Sequence, residues 1–348
     1  MAVDKRRRAL IGLGVGGVVA AGLGTAAYGQ ASARTPEPSC APTEASILVP
    51  EHAPTNLKQA AKQVNSVYKA ESAAAGGWWK AHITVFDSDG NAETAVERDS
   101  DDLVEAWSVN KMPVAIALLD KVDRGELSLD DQVEVPESLV SYDGDGVFGW
   151  DGAYPSKVTL GHVLCVMLTV SDNTAVRLCG QVVDGDEINS YWSDQGFVDT
   201  RVQPNGDDPK RFFLGTTTPK EQHDIWRKTA VGELVSDESR DYLFSALRAP
   251  VAFSDGIRLH LSTKERMRIA TKAGWFDTDS GLFGDDSDER CEAGIIYDSD
   301  DRPALIYSIY AGEHGVFEDF GAAHPANRAR ANMGWAFKRI MDGLRGDL

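Results

Sequence analysis

Three short segments carry residue types suited to acyl transfer. In Ser108-Val109-Asn110-Lys111 the hydroxyl and the amine stand three residues apart. Residues three apart share one face of a helix, so Lys111 can take the Ser108 proton if its amine is partly desolvated. A serine in the first turn of a helix also points its own backbone N–H outward, where it can donate to an oxyanion. The pattern is common, and Ser66-Val67-Tyr68-Lys69 repeats it. In Ser171-Asp172-Asn173 a hydroxyl facing the nucleophile can relay a proton to a departing nitrogen, while the Asn173 amide can hold both the lysine and the acyl side chain of a substrate. Ser171 or Asp172 would equally serve as a helix N-cap. In Thr271-Lys272-Ala273-Gly274-Trp275 the lysine can draw an anionic substrate into a cleft, Gly274 lets a strand edge approach the ligand, and the Trp275 N–H can be a second oxyanion donor. Alone, this segment reads as a surface lysine on a sheet edge.

These segments must be held by the elements around them. Ala60, Ala61, Val64, Val67 and Tyr68 recur at helical spacing, so a first amphipathic helix is expected from Leu57. Ala81 to Phe86 alternates as a strand, Asp87 to Asn91 has hairpin-turn chemistry, and a second strand should follow. Between Val109 and about Gly256 the signals are helical: Met112–Leu119, Leu160–Leu168, Thr174–Val183, Thr218–Ala230 and Ser239–Leu247. Strand character returns in Arg266–Trp275, Ala293–Tyr297 and Ala304–Ala311, and a last amphipathic helix runs from about Asn327 to Leu344. Strands from both ends of the chain join one antiparallel sheet only if the helical block is an insertion, which gives an α/β part clasping an all-α part with a cleft between them.

In their order and spacing the three segments together resemble the serine penicillin-recognising enzymes, class A β-lactamases above all. Leu160-Gly161-His162-Val163-Leu164 leads into the Ser-Asp-Asn segment as in that family. Gly196-Phe197 and Thr200-Arg201 resemble the start of its omega loop, and Thr216-Thr217-Thr218-Pro219 its end. The resemblance covers about residues 55–345. It implies a β-lactamase/transpeptidase-like fold: an antiparallel five-stranded sheet flanked by terminal helices (about 55–107 and 257–345) with an inserted helical domain (about 108–256). It also implies roles. Ser108 attacks the carbonyl, Lys111 accepts its proton and Ser171 passes a proton to the leaving group. Asn173, Lys272, Gly274 and Trp275 form the substrate site, and neither metal nor organic cofactor is needed. Ser66 lies on the first helix, where no later motif meets it, and reads as a solvated-face coincidence.

Two positions depart from the family pattern. Its omega loop carries a glutamate that activates the deacylating water, and Arg201 to Gly215 contains none. Asp207 or Asp208 is the candidate substitute, although turn chemistry accounts for both. Ala273 stands where the family has a hydroxyl residue that helps bind the substrate carboxylate. Acylation is therefore expected, with deacylation the weak step. The candidate functions are hydrolysis of a β-lactam or related amide or ester; a cell-wall D,D-peptidase or esterase activity on the same fold; and, from another class, non-catalytic binding of β-lactams or cell wall.

Composition narrows the setting. The 348 residues carry 54 Asp and Glu against 35 Lys and Arg, a formal net charge of −19, and so acidic a chain repels phosphate backbones and argues against nucleic acid. Residues 1–33 run from Lys5-Arg6-Arg7-Arg8 through an apolar Gly-rich stretch to Ala31-Ser32-Ala33, the layout of an export signal. Arg7-Arg8-Ala9-Leu10-Ile11 resembles the twin-arginine motif. Five prolines mark residues 34–54 as a linker. The expectation is a secreted or extracytoplasmic monomer that meets the membrane only during export and acts on a small-molecule β-lactam or a cell-wall peptide. Cys40, Cys165, Cys179 and Cys291 allow two bridges in three pairings, or free thiols. The seven histidines show no metal spacing, and the acidic run Asp277 to Glu289 fits a calcium loop poorly.

Overall fold

The computed structural model describes residues 51–143, 145–253, 255–276, 288–316 and 321–346. The expected export signal, most of the linker, Cys40 and most of the acidic run lie outside them. Helix α1 (Leu57–Ala75) is capped by the Asn56 side chain, which accepts from the Gln59 N–H, and ends at Gly76 with φ +77°. In β1 (Trp78–Phe86) alternate residues Trp79, Ala81, Ile83 and Val85 enter one core, the period that a strand imposes. Asp87 organises the turn to β2 (Ala92–Arg98), its Oδ1 accepting from the N–H groups of Asp89 (3.0 Å) and Asn91 (2.9 Å). A two-residue strand β3 (Val104–Glu105) and a 3-10 turn (Trp107–Asn110) then lead straight into α2 (Lys111–Asp123), a helix buried from Lys111 to Leu119.

The insertion holds β4 (Gln132–Val135), α3 (Phe148–Asp151), β5 (Ser156–Thr159), α4 (Leu160–Thr169), α5 (Asn173–Val182), α6 (Gly185–Asp194), β6 (Arg201–Asn205), β7 (Asp208–Thr217), α7 (Pro219–Ala230) and α8 (Asp237–Arg248). After α9 (Thr263–Arg266) the chain rejoins the sheet through β8 (Ile269–Trp275), β9 (Arg290–Tyr297) and β10 (Pro303–Gly312), and α10 (Pro325–Arg345) follows. The sheet order is β2-β1-β10-β9-β8, antiparallel throughout. One core lies between this sheet and the terminal helices α1 and α10. The other joins the opposite sheet face to the insertion, with Ile306 and Tyr310 of β10 and Ala293 and Ile295 of β9 packing among α2, α4, α5 and α8. The expected α/β architecture with an inserted helical block is therefore the observed one.

Three expectations are corrected. The insertion is not purely helical: β4 pairs with β5, and β3, β7 and β6 form a second small sheet. Residues 201–217, expected as an omega loop, form the β6–β7 hairpin, with Gly206 at φ +78° in its turn. Short polar strands such as these bury few side chains, so their hydrophobic period is faint. The strand expected from Arg266 begins at Ile269, because a capping box between Ser262 and Glu265 claims Thr263–Arg266 as a helical turn. Among the cysteines, Cys165, Cys179 and Cys291 are all free thiols, which excludes the two-bridge alternative. Cys179 and Cys291 are fully buried, and their sulfurs contact Met167 Sδ and the Ala106 carbonyl respectively. No described helix is long and apolar enough to cross a membrane.

Candidate active site

The segment ahead of Ser108 is built to aim it. Trp107 adopts φ +44°, a left-handed conformation that costs a non-glycine residue about 1–3 kcal/mol. Its ring is held by stacking on Phe276 (4.0 Å between centroids, 11° between planes), and its Nε1 donates to Glu289 Oε2 at 2.5 Å. Ser108 follows in the 3-10 turn, and Lys111 opens α2. In a 3-10 turn residues i and i+3 are eclipsed, so the serine and lysine stack more directly than the α-helix expected from sequence would place them. Ser108 is half-buried and lines a cavity of about 700 Å³.

Lys111 is completely buried, and its Nζ donates to Ser171 O (2.5 Å), Ser171 Oγ (3.0 Å) and Asn173 Oδ1 (2.7 Å). Burial pushes its amine down to about 8, with Asp145, Asp172 and Asp143 opposing the shift. Lys272 Nζ reaches the same Ser171 Oγ at 3.0 Å and the Ala273 carbonyl at 2.9 Å. Burial and then the Lys111 charge hold Lys272 well below the ordinary lysine range. Ser171 presents its hydroxyl from another left-handed residue (φ +57°). The next residue, Asp172, fulfils the capping alternative: its Oδ1 accepts from Ala175 N–H, and its Oδ2 accepts from Val147 N–H (2.6 Å) and Phe148 N–H (3.0 Å). Gly146 lets that loop lie against Asp172, since a Cβ there would meet Asp172 Oδ2 at 2.1 Å.

Lys111, Ser171, Asn173 and Lys272 thus form one hydrogen-bonded cluster beside Ser108. Gly274 of β8 adjoins it. Its missing Cβ would sit 2.6 Å from Ser108 N and 2.9 Å from Trp107 Cβ, so glycine lets β8 approach the nucleophile's own backbone. Trp275 lines the cavity and stacks on Phe253 at 5.4 Å, whereas Tyr142 and Trp150 are exposed. Ser66 and Lys69 are exposed on α1, where Ser66 Oγ donates to Lys62 O.

Asp207 and Asp208 are not brought to the cluster. Both are exposed at the β6–β7 turn, Asp208 accepts from Lys210 N–H and pairs with Arg211, and neither lines the cavity. Three other carboxylates do: Glu105, Asp143 and Asp145. Asn173 Nδ2 donates to Asp143 Oδ2 (2.8 Å) and Asp145 Oδ2 (3.4 Å). Burial pushes the Asp143 carboxyl up, but hydrogen bonds from Ser141 and Asn173 outweigh it and leave the group below the usual range. Burial raises Asp145, with Lys111 opposing. The acidic Gly-rich run Tyr142 to Gly146 was the available sequence signal for the last two, and no sequence pattern marks Glu105.

Among the described residues one trio has metal-ligand types close together: Asp288, His314 and His324, with ligand atoms within 4.8 Å of one another. No sequence spacing marks them. His324 Nδ1 accepts from Ala326 N–H, so the proton of a neutral ring sits on Nε2, which lies 3.6 Å from Asp288 Oδ2, beyond hydrogen-bond distance, and has no lone pair for a metal. That arrangement suits an imidazole–carboxylate contact better than a metal.

A five-stranded antiparallel sheet, terminal helices on one face and a helical insertion on the other, with this cluster at their junction, defines a β-lactamase-like serine hydrolase. A model of the β-lactamase enzyme family matches residues 59–337, and the chain belongs to that family. It is 28% identical over 284 residues to the β-lactamase AER-1 of Aeromonas hydrophila, covering 80% of this chain and 85% of that one. A solved β-lactamase from Chitinophaga pinensis matches with a TM-score of 0.64 at 19% identity, covering 80% of this chain and 98% of that one. A mutant of PBP-A, solved as an acyl-enzyme complex with penicillin G, matches with a TM-score of 0.58 at 19% identity, covering 83% of this chain and 97% of that one.

Proposed function

We propose that the protein hydrolyses a β-lactam or a related amide or ester through an acyl-enzyme on Ser108. The observation that carries this reading is Lys111: a completely buried amine, lowered to about 8, stacked one 3-10 turn after Ser108 and bonded to Ser171. In its neutral form Lys111 takes the Ser108 proton as Oγ attacks the carbonyl carbon. The N–H groups of Ser108 and Trp275 hold the oxyanion. As the tetrahedral intermediate collapses, Ser171 hands its proton to the leaving nitrogen and is resupplied by Lys111 or Lys272, both 3.0 Å away. Asn173 and the cationic Lys272–Lys111 pair position an anionic substrate.

A cell-wall peptidase or esterase reading draws on one observation, the replacement of the omega loop by a hairpin whose aspartates are exposed. The twin-arginine-like segment and apolar stretch before Ala31 support export, with action outside the cytoplasm as a monomer. Intact-mass spectrometry after mixing with penicillin tests the Ser108 assignment: a covalent adduct lost in Ser108→Ala is expected. An unmodified mass with no turnover of a chromogenic cephalosporin removes both the β-lactam mechanism and the binding alternative.

A further inference from the structure

We propose that Glu105 is the general base that activates the deacylating water, a role the resemblance assigns to a glutamate absent from residues 201–215. The inference rests on the Ser108 acyl-enzyme reading. Glu105 is 8% exposed and lines the same cavity as Ser108, three residues ahead of it in the chain. Its backbone is fixed on both sides. Glu105 pairs with Thr216 across β3 and β7, and the next residue donates, Ala106 N–H to Gly215 O at 2.9 Å. Carbonyls of β7 are also tied to the nucleophile's turn by Asn110, whose Nδ2 donates to Leu214 O (2.6 Å) and Thr216 O (3.0 Å). The hairpin, Glu105 and Ser108 therefore form one rigid unit, and rigid placement is what water activation requires.

The other carboxylates fit the task less well. The hairpin carries Asp207 and Asp208 to its exposed tip. Asp143 accepts from Ser141 Oγ (2.6 Å) and from Asn173 Nδ2, which hold it on the Asn173 side of the cavity. Asp145 lies in the loop on the Asn173 side, where its charge faces Lys111 and Lys272 and where an acyl side chain must pass. Glu105 belongs to β3, paired with β7, and lines the cavity together with Leu214 and Gly215 of that strand and with Ser108.

The step balances without a further reagent. A water proton moves to the Glu105 carboxylate as the water oxygen bonds to the acyl carbon. The tetrahedral intermediate then breaks its C–O bond to Ser108 Oγ, which takes a proton from the Lys111–Ser171 pair, and the product leaves as a carboxylic acid. The proton held on Glu105 returns through solvent to Lys111, which restores the starting protonation of both groups.

The test separates the two half-reactions of the full chain with penicillin G, by stopped flow and intact mass. Glu105→Gln, nearly isosteric, should acylate within about threefold of the parent and deacylate about 10²- to 10⁴-fold more slowly, the general-base scale, with the adduct accumulating. Asp208→Asn, at the exposed hairpin turn and outside the cavity lining, should deacylate like the parent. A Glu105→Gln protein that deacylates at the parental rate overturns the proposal and leaves the Ser108 reading standing. A parent that never acylates overturns both. Should the glutamine variant fold poorly, the parent alone decides: its deacylation rate must fall as pH drops through a carboxylate pKa, and a flat acid limb overturns the assignment.

Discussion

Lys111 and Lys272 share a single acceptor, each ammonium nitrogen lying 3.0 Å from Ser171 Oγ. Both side chains are buried. Burial is the first cause of both lowered amines, and at Lys272 the Lys111 charge adds to it, so the pair favours loss of a proton. The catalytic consequence is a supply of neutral amine near neutral pH.

The acylation rate should therefore rise with pH and level off above about 8, because only unprotonated Lys111 accepts the Ser108 proton. Lys111→Ala should lower acylation at least about a hundredfold and remove that limb. Lys69→Ala should leave it unchanged, since Lys69 is exposed on α1. A pH-rate profile of adduct formation measures both.

Lys111 also links stability to pH. Its folded pKa of about 8 lies below the ordinary lysine value of 10.5, so between those values the unfolded chain binds more protons and stability rises with pH. Below about pH 8 both states are protonated, and burying the charge costs on the order of 3 kcal/mol, which is recovered towards pH 10. Denaturant titrations from about pH 7 to 10 should show this slope, and Lys111→Met should reduce it to the part that Lys272, lowered in the same direction, contributes.

Gly274→Ala places a Cβ 2.6 Å from the Ser108 N–H nitrogen and 2.9 Å from Trp107 Cβ, both parts of the strained turn. Moving β8 away relieves the clash but spoils the oxyanion donors. Acylation should fall at least about tenfold on the scale of a disturbed oxyanion site, with a stability loss of about 1–3 kcal/mol. Thermal melts and single-turnover acylation report the two effects separately.

Asp207→Asn and Asp208→Asn should each deacylate like the parent, because the hairpin turn holds both carboxylates in solvent. Single-turnover decay of the penicillin adduct checks this. A slowing of about a hundredfold in either variant would mean that the hairpin folds back over the ester.

Much of the framework was legible in the residues themselves. The alternation in Ala81–Phe86 and Ala304–Ala311, the helical period from Leu57 and the turn chemistry of Asp87–Asn91 are local, and local backbone preference reinforced by one buried face settles such elements. The three short motifs were equally readable, since their residue types carry the chemistry whatever surrounds them. Tertiary structure decided which groups act together. Chain separation says nothing of the shared bond from Lys111 and Lys272 to Ser171, because a hydrogen bond between residues 101 apart exists only once both lobes close. Tertiary structure likewise turned residues 201–217 into a hairpin and put Asp207 and Asp208 in solvent. Polar strands are held by pairing partners such as Thr216 with Glu105 rather than by a hydrophobic period of their own. The same pairing brought Glu105 to the cavity: residue type made it a carboxylate, but only burial beside Ser108 made it a candidate base.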